Sequence, residues 1–343
     1  MINTPLVSVL LPCYNAEAYI ADAVWSILEQ TYTNLELFII DDSSTDRTVA
    51  TVKNFNDDRI HLVEKPQNTG YTDSLNMGLT FAKGKYIARM DADDISESNR
   101  FQRQVDYLEA HPDTIVCGCW ITLIPQETVY RYPVEHLEIV EELFSRNSFA
   151  HPGVMMRKSA IDLHSLNYDR SFEPTEDYEL WTRMMMLGTL HNLPETLLRY
   201  RTHEQQISSY KASLQKQNRL RTRMQLLQKL LDEPLTINLL EENIYESGGN
   251  NATRIKELNL RLDKLSTLSI ANHSQQLYPV NIFDNYLLGL KKKLCRSLTS
   301  RQHKSSVSLW FDICFQAPVF FRLIGWRNSL SFSARCFLNQ FIF

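Results

Sequence analysis

The chain has 343 residues, 43% of them hydrophobic, and a formal net charge of -4. That length suits two domains or one large one, and the apolar fraction is ordinary for a globular core. Six cysteines without paired CxxC spacing or a disulfide framework, and no apolar stretch near the ~20 residues of a spanning helix, speak against a zinc ribbon, a disulfide scaffold and a membrane-spanning protein.

Charge is unevenly spread. Residues 289–343 carry nine Lys and Arg against one acid, Asp312, which leaves 27 basic and 39 acidic side chains in the first 288. A basic tail on an acidic body points to an anionic partner, either nucleic acid or a membrane surface. Met1 is followed by a polar and then a strand-like pattern and not by a signal peptide, so the expected setting is a reducing cytosol. The Asn251-Ala252-Thr253 sequon then carries no meaning, and the thiols, including Cys117 and Cys119, are expected to be free and buried.

In chain order, residues 6–12 form a continuous apolar run, the pattern of a strand buried on both faces. Residues 16–30 repeat Ile20, Ala23, Val24, Ile27 and Leu28 at helical spacing. A second buried strand covers 36–40 and ends in Asp41-Asp42-Ser43-Ser44-Thr45-Asp46, a turn in which Asp41 and Asp46 are expected to cap the helix at 47–56. A short strand at 60–63 leads through Asn68-Thr69-Gly70 to a helix at 71–82, with Gly84 as its expected C-cap. The fourth strand, 86–90, delivers Asp91, Asp93 and Asp94. This strand–helix alternation predicts a doubly wound α/β layer with a mostly parallel sheet, in which ligands bind beyond the carboxyl ends of the strands. Asn15, Asp42 and Asp93 all fall at such ends.

Asp-x-Asp after a strand suits a hard divalent cation, because Mg²⁺ and Mn²⁺ prefer oxygen ligands and commonly bring phosphate with them. Acidic triplets are also common as solvated turns or helix caps, and Asp94 is expected to cap the following helix.

Residues 7–15, 40–46, 68–70 and 90–94 together resemble the successive motifs of family 2 glycosyltransferases with the GT-A fold, a Rossmann-like layer flanked by helices; the resemblance covers about residues 5–210. It implies inverting, metal-dependent transfer of a sugar from a nucleotide diphosphate donor, with UDP expected, and Mn²⁺ or Mg²⁺ as cofactor. By position Asp42 resembles the carboxylate that accepts from the nucleobase, Asp91 the one near the ribose or donor sugar, and Asp93 the metal ligand. Pro12, Tyr14, Asn15, Asn68 and Gly70 lie in the same motifs and are expected on the donor side.

Further along, 99–111 reads as an amphipathic helix and 114–124 as a strand. Residues 151–157 resemble the strand leading to the acceptor side; His151 is either part of that site or an ordinary loop histidine. The run from Glu173 to Trp181 resembles the family's acidic pair followed by an aromatic. Inverting transfer needs one general base at the acceptor hydroxyl. Asp177 is expected in that role with Glu176 second, the alternative being a helix cap made by Thr175 or Glu176. Residues 199–208 resemble the segment that closes such domains. There His203 is expected on the metal or the β-phosphate, and Arg201 is expected to clamp phosphate through its planar fork.

The resemblance ends near residue 210. Residues 211–231 and 254–268 read as amphipathic helices around a loop at 247–251, a helical extension over 211–285 with no motif attached to chemistry. In residues 286–343, aromatic and aliphatic side chains mixed with Lys and Arg describe an interfacial segment; the alternatives are a helical pair completing the fold or a homo-oligomer contact. No nucleic-acid module is present, so nucleic acid is not an expected partner. The expectation is therefore a cytoplasmic, membrane-peripheral enzyme that moves one sugar from a UDP-sugar to a lipid-linked or oligosaccharide acceptor in surface polysaccharide synthesis of the O-antigen or capsule type. The alternative is a non-catalytic, membrane-associated module that binds sugar nucleotides.

Overall fold

The computed structural model describes residues 4–203, 212–240, 251–298, 313–314 and 319–338. The backbone divides into two compact units, Met1–Thr222 and Arg223–Phe343.

The first unit is built on β1 (Val7–Cys13), β2 (Leu35–Asp41), β3 (Ile60–Glu64) and β4 (Tyr86–Arg89), parallel strands in the order β3-β2-β1-β4. Every residue of β1, β2 and β4 is buried, which is why these strands read as unbroken apolar runs. The helices α1 (Ile20–Leu28), α2 (Thr48–Lys53) and α3 (Tyr71–Phe81) make the crossovers. Next in the chain are the two-residue β5 (Ile95–Ser96) and α4 (Arg100–Ala110). Beyond β4 the sheet becomes mixed. The three-residue β8 (Met155–Arg157) is antiparallel to both β4 and β6 (Thr114–Ile124), β6 is parallel to β9 (Thr189–Arg201), and β5 is antiparallel to β9. A short β7 (Thr128–Tyr130) pairs with β6, and the helices α5 (His136–Leu143), α6 (Lys158–Leu163) and α7 (Glu176–Met184) complete the unit. The α/β layer flanked by helices thus holds, with the parallel part confined to β1–β4 and the β6–β9 pair.

The loops at the carboxyl ends of β1 and β2 are tied to each other. Asn15 adopts φ +50°, its backbone N–H donates to Ser44 Oγ, and its side-chain oxygen accepts from Thr45 N–H, both at 2.9 Å. Asp46 accepts from Thr48 N–H and from Glu17 N–H, as expected of a residue at a helix start, whereas Asp41 accepts from Ser44 N–H within the turn. Gly84 has a different reason from the one its position suggested. Helix α3 ends at Phe81, and a Cβ on Gly84 would lie 2.6 Å from the Leu6 carbonyl oxygen and 2.7 Å from Ser8 N. The glycine lets the chain pass against β1; it is no left-handed cap. Asp94 likewise caps nothing, because β5 intervenes and α4 begins only at Arg100.

Two expected boundaries move. Helix α8 (Ala212–Gln228) starts within the first unit, where Asn218 Nδ2 donates to the carbonyls of Phe172 and Glu173 at 2.9 Å and the Arg221 guanidinium lies 4.4 Å from the centre of the Phe172 ring. The first compact unit therefore runs to Thr222, past the boundary expected at 210. In the second unit, α9 (Asn251–Gln275) and α10 (Val280–Leu298) pack along apolar stripes that include Ile255, Leu258 and Leu265 on one side and Phe283, Leu287 and Leu294 on the other. The boundary expected at 286 cuts through α10. Over 291–296 the apolar side chains Leu294 and Cys295 are buried and Lys291 donates to Ser266 Oγ, so this stretch completes the fold. Residues 309–312 and 315–318 of the expected interfacial segment lie outside the described residues, as do 204–208 and 247–250. The chain continues in α11 (Phe320–Ile324) and α12 (Trp326–Leu338). Among the described residues no helix is long and apolar enough to cross a membrane, and the described cysteines are free, with Cys117 and Cys119 buried.

Candidate active site

Beyond the carboxyl ends of β1–β4 lies a cavity of about 630 Å³, and eleven of the twelve side chains singled out from the sequence line it. Arg201 is the exception.

One wall of the cavity is organised by Asp42. Its Oδ1 accepts from Thr69 N–H and its Oδ2 from Gly70 N–H, both at 2.9 Å, and Lys65 Nζ forms an ion pair with Oδ1 at 2.5 Å. Both side chains are almost fully buried. Asp42 therefore holds the Asn68–Gly70 loop in addition to facing the cavity, and Gly70 at φ +103° supplies the left-handed turn into α3. Tyr14 stands half-exposed at the rim.

Below it, single carboxylate oxygens of Asp91, Asp93 and Asp94 lie within 4.8 Å of one another. Asp93 Oδ2 is 2.9 Å from His203 Nε2. Asp94 is buried, with Oδ1 accepting from Arg201 N–H and Oδ2 unpartnered, and burial together with Asp91 and Asp93 holds its carboxyl well above the usual carboxylate range. An all-oxygen cluster with one imidazole beside it and an unsatisfied buried oxygen within it fits a hard divalent cation. Asp91, Asp93 and Asp94 are the group that could hold one, with His203 against Asp93. Asp91 is instead ion-paired with Arg89. Arg201 corrects the expected phosphate clamp. Its Nε donates to the Asp93 carbonyl at 2.8 Å and its guanidinium stacks 4.6 Å from the centre of the Tyr19 ring, so it braces the acidic loop from behind.

The opposite wall is the start of α7. Asp177 Oδ2 accepts from Asn147 Nδ2 at 2.6 Å and Oδ1 from Tyr178 N–H at 2.7 Å. Burial raises its carboxyl, opposed by those two donors and by the Arg89 charge. Glu176 is also buried, its Oε2 has no partner, and burial followed by the Asp177 charge pushes it up to about 8. Thr175 does not cap α7 with its side chain; its hydroxyl donates to the Phe172 carbonyl. His151 is no ordinary loop residue. It sits buried on the cavity wall, Nε2 at 3.0 Å from Tyr168 OH, and burial and then Arg89 lower it well below its usual range.

Reading the sequence missed Lys65, Arg89, Asn147 and Tyr168. Lys65 and Arg89 flank recognisable motifs, but a lysine or arginine beside a strand is ordinarily a solvated one. Asn147 lies thirty residues from its partner in a loop without a pattern, and nothing local marks it.

A family model described as glycosyl transferase family 2 matches residues 8–163. An uncharacterised glycosyltransferase of Haemophilus influenzae is 36% identical over 223 residues, covering 61% of this chain and 69% of the relative. The Escherichia coli UDP-Glc:alpha-D-GlcNAc-diphosphoundecaprenol beta-1,3-glucosyltransferase WfgD is 28% identical, covering 60% and 81%. Among solved structures, S. aureus TarS 1-349 in complex with UDP-GlcNAc superposes with TM-score 0.60 at 15% identity, over 86% of this chain and 91% of that one. The mannosyltransferase PcManGT of Pyrobaculum calidifontis, in complex with GDP-Man and Mn²⁺, gives 0.53 at 15%, over 99% and 88%. The fold is thus that of the GT-A enzymes, and the chain belongs to glycosyl transferase family 2.

Proposed function

We propose that the protein transfers one sugar, with inversion, from a UDP-sugar to a hydroxyl of a lipid-linked or oligosaccharide acceptor during surface polysaccharide synthesis of the O-antigen or capsule type, at the inner face of the membrane. The observation that carries this reading is the single cavity in which a donor-side carboxylate, Asp42, a cation cluster at Asp93 and an acceptor-side carboxylate, Asp177, face one another. The relatedness to WfgD, whose name describes a UDP-glucose donor and a diphosphoundecaprenol-linked acceptor, supports the choice of donor and acceptor class. PcManGT, with GDP-Man on the same fold, keeps the nucleotide open to test.

Asp42 presents the remaining acceptor capacity of Oδ2 to a base N–H. Asp91, aimed by Arg89, faces the donor sugar. Asp93 and His203 would hold Mn²⁺ or Mg²⁺, which would supply charge neutralisation for the leaving diphosphate. Asp177 takes the proton of the acceptor hydroxyl as that oxygen attacks the anomeric carbon. Asn147 and Tyr178 N–H favour its charged form, as a base requires. Glu176, whose Oε2 has no partner and which burial and the Asp177 charge push up to about 8, is the poorer base at neutral pH.

Thermal unfolding with UDP, GDP and UDP-glucose, each with and without Mn²⁺, tests this. A ligand at a hundred times its dissociation constant stabilises the fold by about 2.7 kcal/mol. A UDP shift that needs Mn²⁺ and disappears in Asp93→Ala is expected. No shift with any nucleotide would overturn the reading, and binding without turnover for any sugar nucleotide would favour the non-catalytic alternative.

A further inference from the structure

Arg89 ends β4 with its side chain only 3% exposed, yet it lines the cavity. One guanidinium nitrogen pairs with Asp91, while Nε and Nη1 are buried without a hydrogen-bond partner. The guanidinium carbon lies 5.4 Å from the centre of the Tyr71 ring, and Tyr71 OH is 3.5 Å from His151 Nδ1. The backbone is equally constrained. Arg89 N–H donates to the Val154 carbonyl and its own carbonyl accepts from Arg100 Nη2, so the strand end cannot drift. Histidines aside, Arg89 is the one basic side chain lining this cavity among the described residues, whereas Asp91, Asp93, Glu173, Glu176 and Asp177 all line it.

A cation so placed touches both halves of the site. On the donor side it fixes Asp91 by direct pairing. On the acceptor side its charge favours the ionised form of Asp177 and disfavours a charged His151. The Asn147 and Tyr178 N–H donors act on Asp177 in the same direction, but Arg89 is the one Lys or Arg charge in the cavity wall among the described residues, and a buried carboxylate without compensation drifts toward the neutral form.

We propose that Arg89 is a positioning residue for the transfer reaction, a buried charge that aims Asp91 toward the donor and sets the electrostatics against which the Glu176–Asp177 pair and His151 work. The assignment of a reaction to those groups rests on the proposed function; the charge coupling itself does not.

The groups facing this charge are known from every element around it. They are Asp94 on the acidic loop, Tyr168 on the segment before α7, Tyr200 on β9, and Glu176 and Asp177 on α7. Arg100 on α4 is the second cation near it.

The test uses the full chain, without donor, acceptor or metal, as wild type, Arg89→Met and Arg89→Lys. The His151 imidazole is followed by NMR pH titration, assigned with His151→Gln, and the Asp177 carboxyl by ¹³C-labelled aspartate, assigned with Asp177→Asn. In Arg89→Met both titrations are expected to move up, because the charge that opposed protonation is gone. In Arg89→Lys both are expected to stay near wild type, since the charge remains. Unmoved titrations in a folded Arg89→Met overturn the proposal. Should that variant not fold, Arg89→Lys decides, and titrations displaced despite the retained charge overturn it there. Neither readout needs a sugar nucleotide, so failure here is separate from failure of the transferase reading.

Discussion

The Lys65–Asp42 pair offers the sharpest quantitative test of how the fold builds the donor side. Lys65→Met keeps the length and apolar stem of the side chain and deletes its charge. The two side chains are only 3% and 6% exposed, so the variant leaves Asp42 facing protein without its counter-ion. Breaking a buried pair from one side costs about 3–5 kcal/mol, because the remaining charge is uncompensated. Asp42 keeps its bonds from Thr69 and Gly70 N–H, which offset part of that loss. A net cost of about 2–4 kcal/mol follows, and at about 2–4 °C per kcal/mol for a unit of this size the melting temperature should fall by roughly 5–15 °C. The assay is urea and thermal unfolding of a double-mutant cycle with Asp42→Asn. If the ion pair is the source of the effect, the double variant will be more stable than the sum of the single effects by about 2 kcal/mol. A cost below about 1 kcal/mol for Lys65→Met, or effects that add within about 0.5 kcal/mol, would refute the reasoning. The Thr69–Gly70 loop hangs on Asp42, so the same substitution should also weaken the UDP-dependent thermal shift.

The acidic pair on α7 should separate by pH. A carboxyl raised from near 4.5 to about 8 in the fold binds a proton there that the unfolded chain has already lost, so Glu176 makes stability fall as pH rises through that window. Glu176→Gln should flatten this slope and stabilise the protein at pH 8 relative to wild type; an unchanged slope in urea unfolding would count against a protonated Glu176. Asp177→Asn, by contrast, should reduce transfer by a factor of about 10² or more at every pH, and in the wild type the acid limb of kcat/KM should lie above the ordinary aspartate range because burial raises Asp177. For membrane association, Lys292→Glu with Lys293→Glu reverses two charges on α10 without cutting it. Sedimentation with anionic liposomes should fall, and unchanged binding would remove α10 from that role.

What could be read from the sequence follows how local the cause is. Strands β1, β2 and β4 were legible because burial on both faces leaves an unbroken apolar run. The antiparallel β5 was not, since two residues carry no period and it pairs with Leu198 and Arg199 far along the chain; β8 was read as a strand, but not its place between β4 and β6. Asp94 shows the same limit at one side chain. A carboxylate a few residues before a helix reads as a cap, but Ile95 and Ser96 pair with Arg199 and Leu198, the helix starts later, and Asp94 is drawn into the acidic cluster. Gly84 looked like a helix end and is a point of close approach to Leu6 and Ser8. Glu176 and Asp177 are the most instructive case. As neighbours at a helix start they share one local chemistry, so only the resemblance ranks Asp177 before Glu176, and in the fold it is distant partners that give them different surroundings. Asn147 donates to Asp177 and opposes the rise that burial imposes on it, while Glu176 has an unpartnered oxygen and is pushed up further, to about 8. A motif can thus locate a pair of carboxylates, whereas the hydrogen bond that sets them apart comes from a loop asparagine thirty residues away, and the Arg89 charge acts on both.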